Sequence, residues 1–344
     1  MTSFLEQEIG EQPEVITRVL EAESPRAGRI VEALPPFEYA LIAARGTSDH
    51  AATYAKYVWA SLARCPVALA TPSLYTLYGR PPRMDGALVV AVSQSGQSPD
   101  IVAVLEEGKR QGRPTLAITN DGASPLAAAA DHVIEIHAGL EQSVAATKTY
   151  TAQLAVMALL GAALSRDEQR LTELQRLPAS LQVTLDHAAT VGPRAERYRY
   201  MEQCVVIGRG YNYATALELA LKIKELTYIM ANAYSSADFR HGPIATISEG
   251  LPAILIMPGG AAFDDMLALA QELRDRGAEL LIVTDEAAAK PLATTLLPLA
   301  PELPEWLSPL AAIMPGQVLA LHLAQAKGFD PDKPRGLRKV TLTQ

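Results

Sequence analysis

The stretch from Gly86 to Asp100, GALVVAVSQSGQSPD, limits the fold more than any other part of the chain. Residues 88–92 form an unbroken apolar run rich in β-branched side chains. It lacks the polar alternation of a strand with one wet face. Such a run predicts a strand buried on both sides, and strands of that kind belong to parallel sheets covered by helices. The run stops at Ser93-Gln94-Ser95-Gly96-Gln97-Ser98, and Ile101, Val102, Val104 and Leu105 then set a helical period. A buried strand that ends in a hydroxyl-rich loop at a helix start offers unpaired N–H groups, a positive dipole end and extra hydroxyl donors to an anion. Gly96 removes the Cβ that would hold an anion away from the backbone. The same pattern also describes a plain Ser-rich helix cap, but three serines and a glutamine around one glycine favour a phosphate site. The loop contains no lysine and so is not a P-loop.

The pattern repeats along the chain. Residues 4–22 have helical periodicity and are expected to end at Ser24-Pro25. Strands are expected at 39–44, 66–70, 114–118 and 133–136, with helices at 51–62 and 101–111 and a long helix at 143–164. Residues 165–199 are rich in Arg, Glu and Gln with spaced leucines, which reads as a helical connector without strands. The strand-and-helix alternation then resumes, with strands expected at 204–207, 253–257, 279–283 and 296–299. Helices fall at 214–230 and 263–276, and a closing helix at 310–327 is interrupted by Pro315-Gly316. Ala44-Arg45-Gly46 and Gly208-Arg209-Gly210 hold equivalent places, as do Ile118-Thr119-Asn120 and Val283-Thr284-Asp285, at nearly the same offset. The expected fold is therefore α/β: two doubly wound parallel-sheet sandwiches arising from an internal duplication. The expected divisions are a helical segment 1–30, a first sandwich 31–165, a connector 166–199, a second sandwich 200–327 and a polar tail 328–344.

Composition narrows the function. With 344 residues the chain can bury two modest cores, and a net charge of -8 without a basic cluster argues against a nucleic-acid partner. Cys65 and Cys204 make neither a disulfide framework nor a metal-ligand spacing, which suits a reducing cytoplasm. The first ten residues do not read as a signal peptide, and the apolar run 154–164 is too short to span a bilayer, so no membrane association is expected.

In open α/β sheets the ligand lies beyond the carboxyl ends of the strands. Three loops of the first half qualify: 45–50, 93–98 and 143–148, the last reading also as a plain helix start. Acid–base groups come from the second half. Lys222 and Glu225 stand three apart on one helix face, as either a solvated salt bridge or a working pair. Residues 235–243, SSADFRHGP, form a polar loop that places His241 beside the rigid Gly242-Pro243 turn, and imidazole is suited to proton transfer near neutrality. The tail PRGLRK ends in Lys339, by default a solubilising charge with no packing role.

SQSG, VAATK, LKIKE, HGP and PRGLRK, in that order, resemble the SIS (sugar isomerase) family. More narrowly they resemble the isomerase half of glutamine–fructose-6-phosphate aminotransferase and the stand-alone glucosamine-6-phosphate deaminases of that type. The resemblance runs from about Ala40 to the C terminus. It implies that Ser93, Gln94, Ser95 and Ser98 hold a sugar phosphate, with Thr47 and Val144 on the sugar. It further implies that Glu225 moves a proton between C1 and C2, assisted by Lys222. His241 would open the ring from a neighbouring subunit of a homodimer, and Lys339 would form a Schiff base. No metal or other cofactor is implied. Ala146 replaces a serine common in the aminotransferases, and Arg338 stands where a small residue is usual. No N-terminal cysteine nucleophile precedes these motifs, so glutamine is not expected as a nitrogen donor. The expected reaction converts glucosamine 6-phosphate to fructose 6-phosphate and ammonia. A ketose-amine 6-phosphate deglycase and a non-catalytic sugar-phosphate sensor are the alternatives, and retention of Glu225, His241 and Lys339 weighs against the sensor.

Overall fold

The computed structural model describes residues 2–339. Two compact units divide them. One contains residues 14–141, 148–175 and 338–339; the other contains 2–13, 142–147 and 176–337. Each holds one five-stranded sheet. The first is built from β1 Tyr39–Ala43, β2 Val67–Leu69, β3 Ala87–Val92, β4 Thr115–Thr119 and β5 His132–Glu135, in the order β2-β1-β3-β4-β5. The second is built from β6 Gln203–Gly208, β7 Met230–Ser235, β8 Pro252–Ile256, β9 Glu279–Thr284 and β10 Thr295–Pro298, in the order β10-β9-β8-β6-β7. Every pairing is parallel. Read from the β7 edge, the second sheet repeats the 2-1-3-4-5 connectivity of the first. That shared order is the internal duplication expected from the motif spacing.

In the first unit β3 is buried along its whole length, at the centre of the sheet. One face packs Leu41, Val89 and Ala91 against Ile101, Val104 and Leu105 of the Pro99–Arg110 helix. The Lys148–Ser165 helix is buried all round through Ala162, as a helix enclosed by protein must be. It packs on the Thr47–Ala63 helix, where the Trp59 indole donates to the Met157 carbonyl at 2.8 Å. In the second unit Ile207, Ala253, Leu255 and Ile282 meet Phe239, Met266 and Leu269. The Ser308–Ala326 helix lies against the Tyr213–Thr227 helix. The segment Glu305–Ala326 is long and apolar enough to cross a membrane, but 94% of its apolar window is buried inside the protein, which makes it a core helix.

Four expectations need correction. The N-terminal helix does not end at Pro25: a short helix, Phe4–Gly10, is followed by Gln12–Ala33, which runs through it. Pro25 forfeits a hydrogen bond, at about 3 kcal/mol in a helix interior. The buried stripe Val15, Ile16, Val19 and Leu20 nevertheless continues to Ala27 and Ile30, and its burial outweighs that loss. The closing helix likewise runs unbroken through Pro315. Gly316 lets it approach closely, since a Cβ there would lie 2.6 Å from a Leu219 methyl. The helix expected from residue 143 begins at Lys148. Finally, β7 was not expected, because MANAYS is an edge strand without an apolar run, and residues 236–240 of the expected polar loop form a helical turn.

Candidate functional site

The 2-1-3-4-5 order places a topological switch point between β1 and β3, the place where such sheets bind ligands. β1 ends into Arg45-Gly46-Thr47, and β3 ends into Ser93–Ser98. Loop 93–98 is held from below: the Ser93 N–H continues the ladder to the Ile118 carbonyl, the Asn120 N–H donates to the Gln94 carbonyl, and the Leu126 N–H to the Gly96 carbonyl. Gly96 has φ +62°, and a Cβ there would fall 2.2 Å from the Ser124 hydroxyl, so glycine is required. The Gly96 N–H donates to Ser93 Oγ at 3.2 Å and the Gln97 N–H to Ser95 Oγ at 3.3 Å. Both hydroxyls are thus used as acceptors, and their own O–H groups remain to donate. Ser98, at the N-cap of the Pro99–Arg110 helix, makes no side-chain cap. Ser98 therefore does not cap the helix with its side chain, and the loop sets its hydroxyls at a helix start.

One partner in this loop cluster was not anticipated. Asp100 is fully buried in the first turn, where its charge would repel an anion, and Arg45 Nε meets it at 2.8 Å. Arg45 offsets that carboxylate and is itself half-exposed. Thr47 opens the neighbouring helix directly after Gly46.

Lys339 belongs to the same unit and is no solubilising tail charge. Its Nζ lies 2.5 Å from Oε2 of Glu141, a carboxylate with no exposed side-chain surface. Glu141 also accepts from the Thr149 N–H at 3.1 Å and the Thr149 hydroxyl at 2.7 Å. Glu141 was missed because a lone glutamate before VAATK carries no spacing signal.

The remaining candidates lie in the second unit. Val144 sits in the loop 142–147, half-buried, and Glu8 of the Phe4–Gly10 helix holds that loop. Glu8 accepts from the Gln142 and Ser143 N–H groups and from the Ser143 hydroxyl. Lys222 and Glu225 on the Tyr213–Thr227 helix touch, Nζ to Oε2, at 2.5 Å, with Lys222 only 1% exposed. Glu218 stands one turn back, 3.4 Å from Nζ and fully buried. A solvated surface salt bridge is excluded by that burial. A carboxylate–ammonium–carboxylate row lies along the helix, and only Glu225, about one-fifth exposed, can reach outward.

His241 caps the short Ser236–Arg240 helix and is exposed, and its imidazole has no hydrogen-bond partner among the described residues. The turn that carries it is fixed by Phe239 in the core and by Asp265, which accepts from the Ser236 hydroxyl at 2.5 Å and from Arg240 at 2.8 Å. Burial raises the Asp265 carboxyl, but the Ser236 hydroxyl and Arg240 outweigh it and hold the group below its ordinary value. The structure joins Lys222 to Glu225 directly and joins the loop 93–98 through hydrogen bonds. It records no hydrogen bond or ion pair from His241 to either Lys222 or Glu225.

The tail preceding Lys339 also packs, against the expectation that it has no such role. Arg335 lies 4.0 Å above the Tyr228 ring, its N–H donates to the Tyr228 hydroxyl at 2.8 Å, and Asp332 accepts from the Phe4 and Leu5 N–H groups.

The SIS domain pattern matches residues 39–163 and 199–296, the two sheets in turn. The glutamine–fructose-6-phosphate aminotransferase [isomerizing] of Thermococcus kodakarensis is 34% identical over 350 residues, covering 99% of this chain and 58% of the relative. That of Gloeobacter violaceus is 38% identical over 359 residues, covering 99% of this chain and 59% of the relative. The chain thus spans somewhat less than three-fifths of the length of these relatives. Among solved structures, the C-terminal domain of glucosamine-fructose-6-phosphate aminotransferase from Francisella tularensis superposes with a TM-score of 0.88 at 29% identity, covering 97% of this chain and 99% of that one. Glucosamine-6-phosphate deaminase from Thermotoga maritima shares the fold, with a TM-score of 0.78 at 20% identity and coverage of 99% and 100%.

Proposed function

The chain belongs to the SIS domain family, and from that premise we propose that it is an amino-sugar phosphate deaminase/isomerase, converting glucosamine 6-phosphate to fructose 6-phosphate and ammonia. The observation that carries this reading is the buried Lys222 pressed against the partly exposed Glu225, an arrangement that surface stability does not call for.

In this reading the loop of Ser93, Gln94, Ser95 and Ser98 anchors the 6-phosphate through hydroxyls and helix-start amides, with Thr47 and Val144 along the sugar. His241 moves the proton that opens the ring, acting from a neighbouring subunit of a homodimer. Glu225 takes the proton from C2 of the open-chain aldose and returns it to C1. The double bond shifts from C1=O to C2=N as O1 gains a proton and the C2 amino group loses one, leaving a hydroxyl on C1 and a ketimine at C2. Lys222 fixes the Glu225 carboxylate during both transfers. The Lys339 amine then attacks C2, the C–N bond to ammonia breaks, and water releases fructose 6-phosphate from the resulting Schiff base.

Ammonia release from a panel of 6-phosphorylated amino sugars and ketose-amines tests the assignment. Glucosamine 6-phosphate is expected to release ammonia and fructose 6-phosphate in equal amounts. Turnover confined to bulkier ketose-amine phosphates would identify a deglycase, and binding without turnover would identify a sensor.

A further inference from the structure

The contact between Glu141 and Lys339 has a use that a tail ion pair does not explain. Glu141 is fully buried just before the Lys148–Ser165 helix, with Oε1 fixed by the Thr149 N–H and Oε2 shared between the Thr149 hydroxyl and Lys339 Nζ. Lys339 keeps a quarter of its side chain exposed. A buried carboxylate–lysine contact adds little net stability, because desolvation cancels much of the attraction. The pair instead presents a nitrogen held on a carboxylate by a side chain that keeps a quarter of its surface exposed.

Resting on the proposed Schiff-base role of Lys339, we propose that Glu141 is the proton carrier for that lysine. It holds Nζ in place and moves protons from it to the group leaving C2. The balance closes without a further reactant. An ammonium carries three protons and the Schiff-base nitrogen keeps one. Glu141 takes the first along the existing Nζ–Oε2 contact, which frees the nitrogen lone pair to attack C2. The tetrahedral adduct forms as the C2 double bond opens onto its heteroatom. Glu141 then returns that proton to the heteroatom and relays the second, so that ammonia leaves from a ketimine or water from a ketone. Glu141 ends as it began, ionised. The two Thr149 bonds keep the carboxylate aimed at Nζ throughout.

Borohydride trapping with fructose 6-phosphate tests this, with the adduct located by peptide mass spectrometry. The parent should become labelled on Lys339. Glu141→Gln preserves an acceptor for Thr149 and should slow labelling about 10²-fold or more, in the range of a positioned acid–base group. Its equilibrium affinity for fructose 6-phosphate should change less than threefold. Glu141→Asp should label faster than Glu141→Gln, because a carboxylate is restored, and Thr149→Val should slow labelling by a smaller factor while leaving the carboxylate in place. A thermal melt checks that each variant folds, and should Glu141→Gln not fold, Thr149→Val decides: labelling at the parent rate overturns the proposal. Labelling of Glu141→Gln at the parent rate, or a parent adduct on another lysine or none at all, likewise overturns it. Ammonia release by the parent is measured in parallel. If ammonia is released while Glu141→Gln traps normally, this inference falls alone; if none is released, the deaminase reading falls on its own evidence.

Discussion

At Glu225 the setting is decided by the burial of its neighbour. Lys222 is buried, so its ammonium stays on the Glu218–Glu225 side of the helix, and of these three side chains only Glu225 keeps appreciable exposed surface. If the 93–98 loop holds the phosphate, single hydroxyls should count individually. Ser95→Ala removes a hydrogen bond to a charged group worth roughly 1.5–3 kcal/mol, so KM for a 6-phosphorylated sugar should rise about tenfold to a hundredfold. An unchanged KM would place the phosphate elsewhere. The cysteines give a separate check on burial. Both are free and buried, and burial pushes the Cys204 thiol up to about 12 and raises Cys65 as well. Thiolate is the reactive form, so neither should react with iodoacetamide at neutral pH in the native protein, whereas both should react after denaturation. Rapid native labelling would contradict the packing around them.

Single elements set the site, and one substitution or one titration can test each. Gly96→Ala forces a Cβ into a left-handed turn that costs about 1–2 kcal/mol, and against the Ser124 hydroxyl as well. Sugar-phosphate affinity should therefore fall more than for Ser95→Ala, which isothermal titration would read directly. The turn that carries His241 leans on Asp265, whose carboxyl is held below the ordinary value of 3.8. The folded value lies beneath the unfolded one, so the stability it contributes is complete above about pH 4 and is lost as pH falls through the lowered value. Asp265→Asn should flatten that acid limb of an unfolding titration, and an unchanged limb would remove Asp265 as the anchor. The elements also show what the chain made legible. Nine of the ten strands among the described residues were readable from apolar runs, six of them buried along nearly their whole length. β7 was hidden because an edge strand such as MANAYS needs no such run. The helices through Pro25 and Pro315 were misjudged because a local breaker rule takes no account of long-range burial. The 93–98 loop and the Lys222–Glu225 contact were visible as local spacing. The partners of Lys339 and Asp100 were not: Glu141 and Arg45 lie 198 and 55 residues away and meet them only in the folded chain.

On the scale of the whole molecule, two sheets of identical strand order carry different side chains at their candidate sites. The first unit carries the donor loop at its switch point together with Lys339, and the second carries Lys222, Glu225 and His241. Duplication followed by such a division explains why the motif set spans nearly the entire chain. If His241 serves a site in a neighbouring subunit, mixing His241→Ala with Glu225→Gln should restore part of the activity, because hybrid dimers contain one site with both groups intact. No recovery after verified subunit exchange would confine each site to one chain. The central claim is a Glu225-driven proton shift that releases ammonia from glucosamine 6-phosphate. The direct measurement follows ammonia and fructose 6-phosphate together for the parent and for Glu225→Gln, alongside the dissociation constant of the sugar phosphate. Equimolar products are expected from the parent, with turnover lowered by roughly 10²–10⁴-fold in the variant and binding nearly unchanged. A parent that releases no ammonia, or a Glu225→Gln enzyme that releases it at the parent rate, would contradict the central claim.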